Sequence, residues 1–345
     1  MLINYFIYFH IGVCILLILF EICWGLYARI RDIKIKETTQ KYEKEIQVQI
    51  DYLKNYASIK KVHKNKISKE LRNVDNLIAF EKACDNISKI EKEHLKIYIK
   101  HVLNVFVDIA VYYNEKKKET EKAYLAYIIG KYFRYIEDIP IPTRLIEILY
   151  QFMECKSIYC KLNTIETIYV IGTTENILRA IAIINKQESL YNQSLLLNGL
   201  KNVKKNRKKL AIELFNRFEE YNKNIQIFII KFLSDYHYIE EDLILEKLES
   251  NRTAIDVRCE IMRYFQKNKN EKAKQYLIKQ LSREKIVAND LNIKAIGTLG
   301  YYEDAEVRNL LNKLKESVDD MIKESAYRSL EKKPKVQKEQ LLEVV

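Results

Sequence analysis

The chain has 345 residues and carries 59 Lys and Arg against 47 Asp and Glu, a formal net charge of +12 at pH 7. Seven glycines and three prolines leave too little punctuation for a turn-rich β fold, while Lys, Glu, Leu, Ile and Ala fill long windows, so the composition predicts an all-α protein. Six cysteines without a framework or zinc spacing exclude a disulfide-stapled secreted domain and point to reduced thiols.

Residues 1–28 form the first predicted element. Met1 to Phe20 contains no Lys, Arg, Asp or Glu, and Glu21 is the only charge before Arg29. About 20 apolar residues in a helix match a bilayer core of about 30 Å. Tyr5 and Tyr8 at one end, and Trp24 and Tyr27 at the other, are suited to the two interfaces. The run outlasts the roughly seven to fifteen residues of a signal-peptide core and lacks a small-x-small cleavage site, so a retained anchor is expected. Arg29, Arg31, Lys34 and Lys36 follow it, and the positive-inside bias then places the C-terminal body in the cytoplasm, beneath a single-pass cell-membrane span.

Residues 29–70 read as a basic helical stalk. From Arg29 to Arg72 there are thirteen basic and six acidic residues, so much of the positive excess lies beside the bilayer, where anionic lipid attracts it. A narrow apolar stripe, Ile46, Ile50, Leu53, Ala57 and Val62, is the expected packing face. Residues 71–140 then show amphipathic helices over 71–90, 92–113 and 119–136, joined by polar turns such as 114–118, and read as a helical neck. Pro140 and Pro142 disfavour helix at and before themselves and mark the clearest break.

Residues 141–331 carry an internal repeat. Asp256-Val257-Arg258, Asn292-Ile293-Lys294 and Met321-Ile322-Lys323 each set an aliphatic residue before a cation near a helix start, with Asp320 preceding the last. Three residues after the cations lie Ile261, Gly297 and Ala326, an expected inward-facing slot. Weaker copies fit 164–172, 194–203 and 224–233, each followed by a second amphipathic helix, at 175–185, 208–221 and 240–248. These residues resemble HEAT repeats, whose helix pairs stack into an α-solenoid. The resemblance implies structural roles for Asp256, Arg258, Asn292, Lys294, Asp320, Lys323 and Ala326. With the anchor, the basic stalk and the run Leu71 to Phe80, the chain is similar to a group of bacterial membrane-tethered HEAT-repeat proteins. That likeness implies a non-enzymatic accessory role beside a membrane glycosyltransferase making surface polysaccharide. Residues 332–345 read as a polar tail, either a cap on the repeats or a partner-binding peptide.

No residue pattern points to catalysis: there is no Gly-rich phosphate loop, nucleophile elbow or H-E-x-x-H. Cys155 and Cys160 form C-x4-C without a second pair or a nearby His, a poor zinc site. No cofactor, metal or small-molecule substrate is therefore expected, and the best functional reading is an adaptor that holds a membrane-associated protein. The cluster Lys201, Lys204, Lys205, Arg207, Lys208 and Lys209 is the candidate partner-binding patch. The alternative is a protein using its basic stalk and this cluster to bind anionic lipid or nucleic acid, although no RNP, zinc-finger or helix-turn-helix pattern supports nucleic acid.

Overall fold

A computed structural model describes residues 2–134, 140–186, 199–200, 203, 206–234, 238–282 and 289–331. Among the described residues the protein is all-helical, with sixteen α-helices, one short 3₁₀ turn and no strand. The chain divides into two compact units, Met1–Ala180 and Ile181–Val345. The Pro140 and Pro142 break lies inside the first, where Pro142 caps a helix.

The first unit begins with α1 (Leu2–Leu53), 52 residues without interruption, or about 78 Å at 1.5 Å per residue. Its first half is apolar on every side and none of it is buried. Its second half is amphipathic: Ile35, Tyr42, Ile46 and Ile50 are buried at intervals of seven and four residues, which keeps them on one helix face. That face packs on α3 (Val74–Ile90) and α4 (Lys92–Asn114). The segment read as a stalk thus carries part of the core. Of the expected stripe, Ile46 and Ile50 are buried and Leu53 is half-buried, but Ala57 and Val62 are exposed. The reason is that α1 ends at Leu53 and the chain turns before α2 (Lys61–Glu70), which breaks the helical register.

The remaining helices of this unit are α5 (Glu119–Phe133), α6 (Thr143–Phe152), α7 (Ile158–Ile171) and the start of α8 (Thr174–Lys186). Alternate helices pack on one another, α1 on α3, α3 on α5 and α5 on α7 in one series, and α2 on α4 and α4 on α6 in the other. Paired contacts fix the direction of the first series. Arg31 meets Asp75 near the start of α3, Glu43 meets Asn86 farther along, and Gln47 meets Glu91 at its end, so α1 and α3 run parallel. Asn163 and Thr167 of α7 donate to the carbonyls of Ala123 and Ala126 in the same order, so α5 and α7 run parallel too. An edge-to-face ladder of rings, Tyr42 to Phe80 to Phe106 to Phe133 at centroid separations of 5.9, 6.1 and 5.2 Å, crosses α1, α3, α4 and α5. Each such pair contributes about 0.5–1.5 kcal/mol beyond the area it buries.

In the second unit eight further helices follow the end of α8 or lie beyond it: α9 (Arg207–Asn216), α10 (Lys223–Leu233), α11 (Glu241–Glu249), α12 (Ile255–Lys267), α13 (Glu271–Leu281), α14 (Asp290–Leu299), α15 (Ala305–Leu314) and α16 (Asp320–Leu330). Each even helix packs on the odd one before it, and α10, α12, α14 and α16 pack in succession. Their caps, Asn222, Ala254, Asn289 and Asp319, recur every 30 to 35 residues. Asn222, Asn289 and Asp319 accept hydrogen bonds from backbone amides of the first turn, satisfying donors that lack intrahelical partners.

Measured from these caps, the seventh residue is Ile229, Ile261, Ile296 or Ala326, and each is fully buried. The expected slot at Gly297 is therefore displaced by one residue to Ile296. Lys294 is the fifth residue after its cap whereas Arg258 and Lys323 are the fourth, so alignment on the cations shifts this unit by one. The expected copy at 164–172 covers the second part of α7 and its cap Gly172, and that at 224–233 lies within α10, while 194–203 falls mostly outside the described residues.

Candidate functional site

The apolar half of α1 is the most unusual surface of the protein. Ile15, Leu16, Leu17, Ile18, Leu19, Phe20, Ile22, Trp24, Leu26 and Tyr27 all stand more than half exposed. Ten large apolar side chains on one helix leave an extensive unburied apolar surface, and each Å² of it that is removed from water is worth about 25 cal/mol. The helix is long and apolar enough to cross a membrane. At its lower end Trp24 lies 6.2 Å from the ring of Phe20 and 6.0 Å from that of Tyr27, making a continuous aromatic strip where the first cations begin. Tyr5 and Tyr8 lie in the first turns of α1.

The cations after this strip divide by environment. Arg29, Lys34 and Lys36 are exposed. Arg31 instead turns toward the body, where its Nε donates to Asp75 Oδ1 at 2.9 Å and its Nη2 donates to the same oxygen. Asp75 is the second residue of α3 and lies beside the cap Asn73, whose side chain accepts from the Asp75 amide. The folded unit is thus tied to α1 three residues past Ala28, about 4.5 Å along the helix axis.

Of the candidate partner-binding patch, Lys201, Lys204 and Lys205 lie outside the described residues. Lys208 and Lys209 are exposed on the first turn of α9, and Arg207 folds back to donate to the Val203 carbonyl. Asn206 caps this helix with φ of 58°, the left-handed conformation that Asn tolerates better than most residues.

The repeat positions are placed on the helix interfaces and edges. Arg258 donates from Nε to the Leu248 carbonyl at 2.9 Å and from Nη2 to the Tyr276 hydroxyl at 3.1 Å, linking α12 to α11 and α13. Asp256 pairs with Lys223 of α10 at 3.2 Å on the surface. The Asn292 amide donates to the cap Asn289, Ala326 is buried, and Asp320 and Lys323 are exposed. Among the described tyrosines of this unit, Tyr221 and Tyr264 are core residues, and Tyr238 and Tyr276 are half-buried. A groove of about 550 Å³ runs between α11 and α13, with Leu245 and Tyr276 among its lining residues and the Lys272–Asp242 pair across it.

Two polar networks were not apparent from sequence spacing. In the first unit Lys131 Nζ lies 2.6 Å from both Glu81 Oε1 and Asp85 Oδ2, the Tyr124 hydroxyl donates to Glu81, and the Tyr132 hydroxyl donates to Asp85 and to the Glu81 carbonyl. Burial works against the Lys131 charge, but its hydrogen bonds to Asp85 and Glu81 outweigh it and hold the ammonium above the ordinary lysine range. Burial, with the neighbouring carboxylates, pushes Tyr124 and Tyr132 up. These hydrogen bonds and ion pairs fasten α5 to α3. Glu81 and Asp85, four apart beside the buried Phe80 and Cys84, were the signal available in the sequence. In the second unit the missed residue is Lys274, buried at 6% side-chain exposure between Glu271 and Asp304.

His63 is buried with Nε2 2.9 Å from the Tyr98 hydroxyl, and burial lowers its pKa. Cys155 and Cys160 are both buried, and burial followed by the neighbouring Cys155 thiol pushes Cys160 up to about 12, the opposite of a reactive thiolate. Among the described residues no group of three or more His, Cys, Asp or Glu is placed to hold a metal ion. No family model matches the chain, and no curated protein matches its sequence.

Proposed function

We propose that the protein is a non-enzymatic, membrane-tethered adaptor: α1 anchors it as a single-pass protein of the cell membrane with its body in the cytoplasm, and helix pairs stacked as HEAT-like repeats hold a membrane-associated protein partner. The observation that carries the reading is the joining of a wholly apolar, unburied helix to a packed helical body with no break in α1. Confining the body to the bilayer surface raises the local concentration of any partner in the same membrane, so modest contacts suffice for capture. The 30 to 35 residue cap spacing and the succession α10, α12, α14, α16 support HEAT-like stacking, which leaves extended edges and inter-helix grooves for docking. The groove between α11 and α13 is of a size to take a few partner side chains. Arg29, Lys34 and Lys36 after the span support the cytoplasmic orientation. A membrane glycosyltransferase is the client class suggested by the resemblance to tethered HEAT-repeat proteins.

The test is crosslinking of the full chain in intact membranes of its own cell, purification in detergent and identification of what remains bound, against a chain lacking residues 1–28. Stoichiometric recovery of one integral membrane protein with the full chain alone is the expected outcome. Recovery of nucleic acid, equally with and without the span, overturns the adaptor reading.

A further inference from the structure

The parallel run of α1, α3, α5 and α7 gathers one set of turns at the end of the first unit from which α1 leaves for its apolar half. The α2–α3 turn holds Arg72, the α4–α5 turn holds Lys116, Lys117 and Lys118, and the α6–α7 turn holds Lys156; all five side chains are exposed. Direct bonds make these turns one edge. The Tyr113 hydroxyl donates to the Leu71 carbonyl, joining the first turn to the second. Glu119 accepts from the amides of Lys156, at 2.9 Å, and Ser157, joining the second turn to the third. Arg31 and Asp75 join the edge to α1 just below the aromatic strip.

The charge on this edge is lopsided. Five exposed cations of the turns face two exposed carboxylates, Glu115 and Glu154. Of the other acidic groups nearby, Asp75 is engaged by Arg31 and Glu119 by two backbone amides, while Asp32 on α1 is exposed beside Arg31. Lys118 is paired with Glu121 at 3.1 Å, whereas Arg72 and Lys116 lie over the Tyr112 ring at 5.1 and 4.7 Å, which orders these two without neutralising them. Beside Lys156, Tyr159 is 73% exposed and Ile158 41%, an aromatic and an aliphatic side chain on the same rim. Cations interleaved with exposed aromatics suit the headgroup layer of a bilayer.

We propose that this edge, assembled from three turns distant in sequence, docks on the anionic phospholipid headgroups of the leaflet from which α1 emerges. The inference rests on the reading of α1 as a membrane span, and it goes beyond that reading by assigning a lipid class and a folded contact surface. A few ångströms of helix separate Ala28 from Arg31, so the edge falls within the Debye length of about 8–10 Å over which a charged leaflet acts. The packing of α1 on α3 keeps it there, and docking sets the tilt of the body against the bilayer.

Full-length protein reconstituted in nanodiscs of phosphatidylcholine, or of phosphatidylcholine with phosphatidylglycerol, tests this through trypsin. The rate of cutting after Lys116 to Lys118 is compared with that after Lys54, which lies in the turn at the opposite end of the unit. Phosphatidylglycerol is expected to lower the ratio of the two rates by at least about fivefold, the factor equivalent to about 1 kcal/mol for one cation held at a charged surface. High salt restores the ratio. Arg72→Glu with Lys156→Glu keeps the cut sites and is expected to abolish the effect, whereas Lys61→Glu with Lys89→Glu, the same charge change away from the edge, retains it. A ratio indifferent to lipid, or equal loss with both double variants, overturns the docking surface. Alkaline carbonate extraction of native membranes separates the two claims: a chain released by carbonate sinks the span and the surface together, and a retained chain with a lipid-independent ratio sinks the surface alone.

Discussion

Lys274 Nζ lies 2.9 Å from Asp304 Oδ2 across the α13–α15 boundary while only 6% of its side chain is exposed. It is the fourth residue after its helix cap, the position held by Leu210 in α9 and Ile244 in α11, both fully buried. An ion pair thus occupies a slot that the preceding units fill with aliphatic side chains, and Glu271 at 2.7 Å completes it. The two carboxylates are part-exposed, at 47% and 68%, so the ion pairs stabilise little relative to an apolar replacement, yet removing both would strand the buried ammonium. Lys274→Met is therefore expected to leave urea stability within about 1 kcal/mol of the parent, and Glu271→Ala with Asp304→Ala to lower it by about 1–3 kcal/mol. Denaturation of the full chain in detergent measures both, and a larger loss for Lys274→Met contradicts the ordering.

Gly130 is required by close approach of α5 and α7. A Cβ at this position would stand 2.6 Å from Thr167 Oγ1 and 3.3 Å from Thr167 Cα. The hydroxyl cannot rotate away without cost, since it donates to the carbonyls of Ala126 and Asn163 at 2.6 and 2.7 Å. Gly130→Ala is expected to destabilise by about 1–3 kcal/mol through overpacking, despite the better helix propensity of alanine. Removing the hydroxyl relieves the clash, so in a double-mutant cycle Gly130→Ala and Thr167→Ala together cost less than the sum of the two singles. Strict additivity would show that the helices separate freely at this point.

The pH dependence of the first unit is expected to carry the mark of His63. Burial lowers its pKa in the folded state below the ordinary value of 6.5, with Glu45 and Glu70 opposing and Lys66 reinforcing the shift. The unfolded chain then binds a proton that the folded chain resists, so the stabilising contribution is present above pH 6.5 and is lost as pH falls from there through the lower folded value. His63→Phe removes the His63 share of this slope at the cost of the bond to the Tyr98 hydroxyl, leaving the smaller share of His101, whose pKa burial also lowers. Chemical denaturation at a series of pH values between about 5 and 8 measures it; an unchanged slope in the variant assigns the acid sensitivity to another group.

The neck helices were legible from their apolar periods, but the helix expected from 71 begins at Val74, because Asn73 caps it and the separate helix α2 ends at Glu70. The long apolar N-terminal helix was legible because charge is absent from Met1 to Phe20. What periodicity did not convey was partnership. Ile46 and Ile50 give the same narrow stripe whether they face solvent as a stalk or α3 as a core, and only the parallel pairing of Arg31 with Asp75 and Gln47 with Glu91 decides between them. The register of α14 was misread because Lys294 stands one residue farther from its cap than Arg258 does. The basic edge was invisible for a deeper reason: Arg72, Lys116 and Lys156 meet through helix direction, which no local spacing encodes.

The Arg31–Asp75 contact has a role separable from stability. Both side chains are part-exposed, at 40% and 34%, so the pair contributes about 0–1 kcal/mol to folding. It is nonetheless, among the described residues, the first tie between α1 and the body after the apolar half of the helix, and the apolar stretch before it is unburied. Arg31→Ala is expected to leave the denaturation midpoint nearly unchanged while loosening the angle between α1 and α3. Electron spin-echo distances between labels placed at Gly25→Cys and at an exposed α3 site such as Lys82→Cys, in nanodiscs and with the native cysteines replaced, report that angle as the width of a distribution. Broadening in Arg31→Ala and in Asp75→Ala, with recovery of the narrow distribution in the swapped Arg31→Asp and Asp75→Arg chain, is the outcome the geometry demands. Equal widths in all four chains would show that packing of Ile35, Tyr42 and Ile46 on α3 suffices to hold the angle, leaving the ion pair a surface contact only.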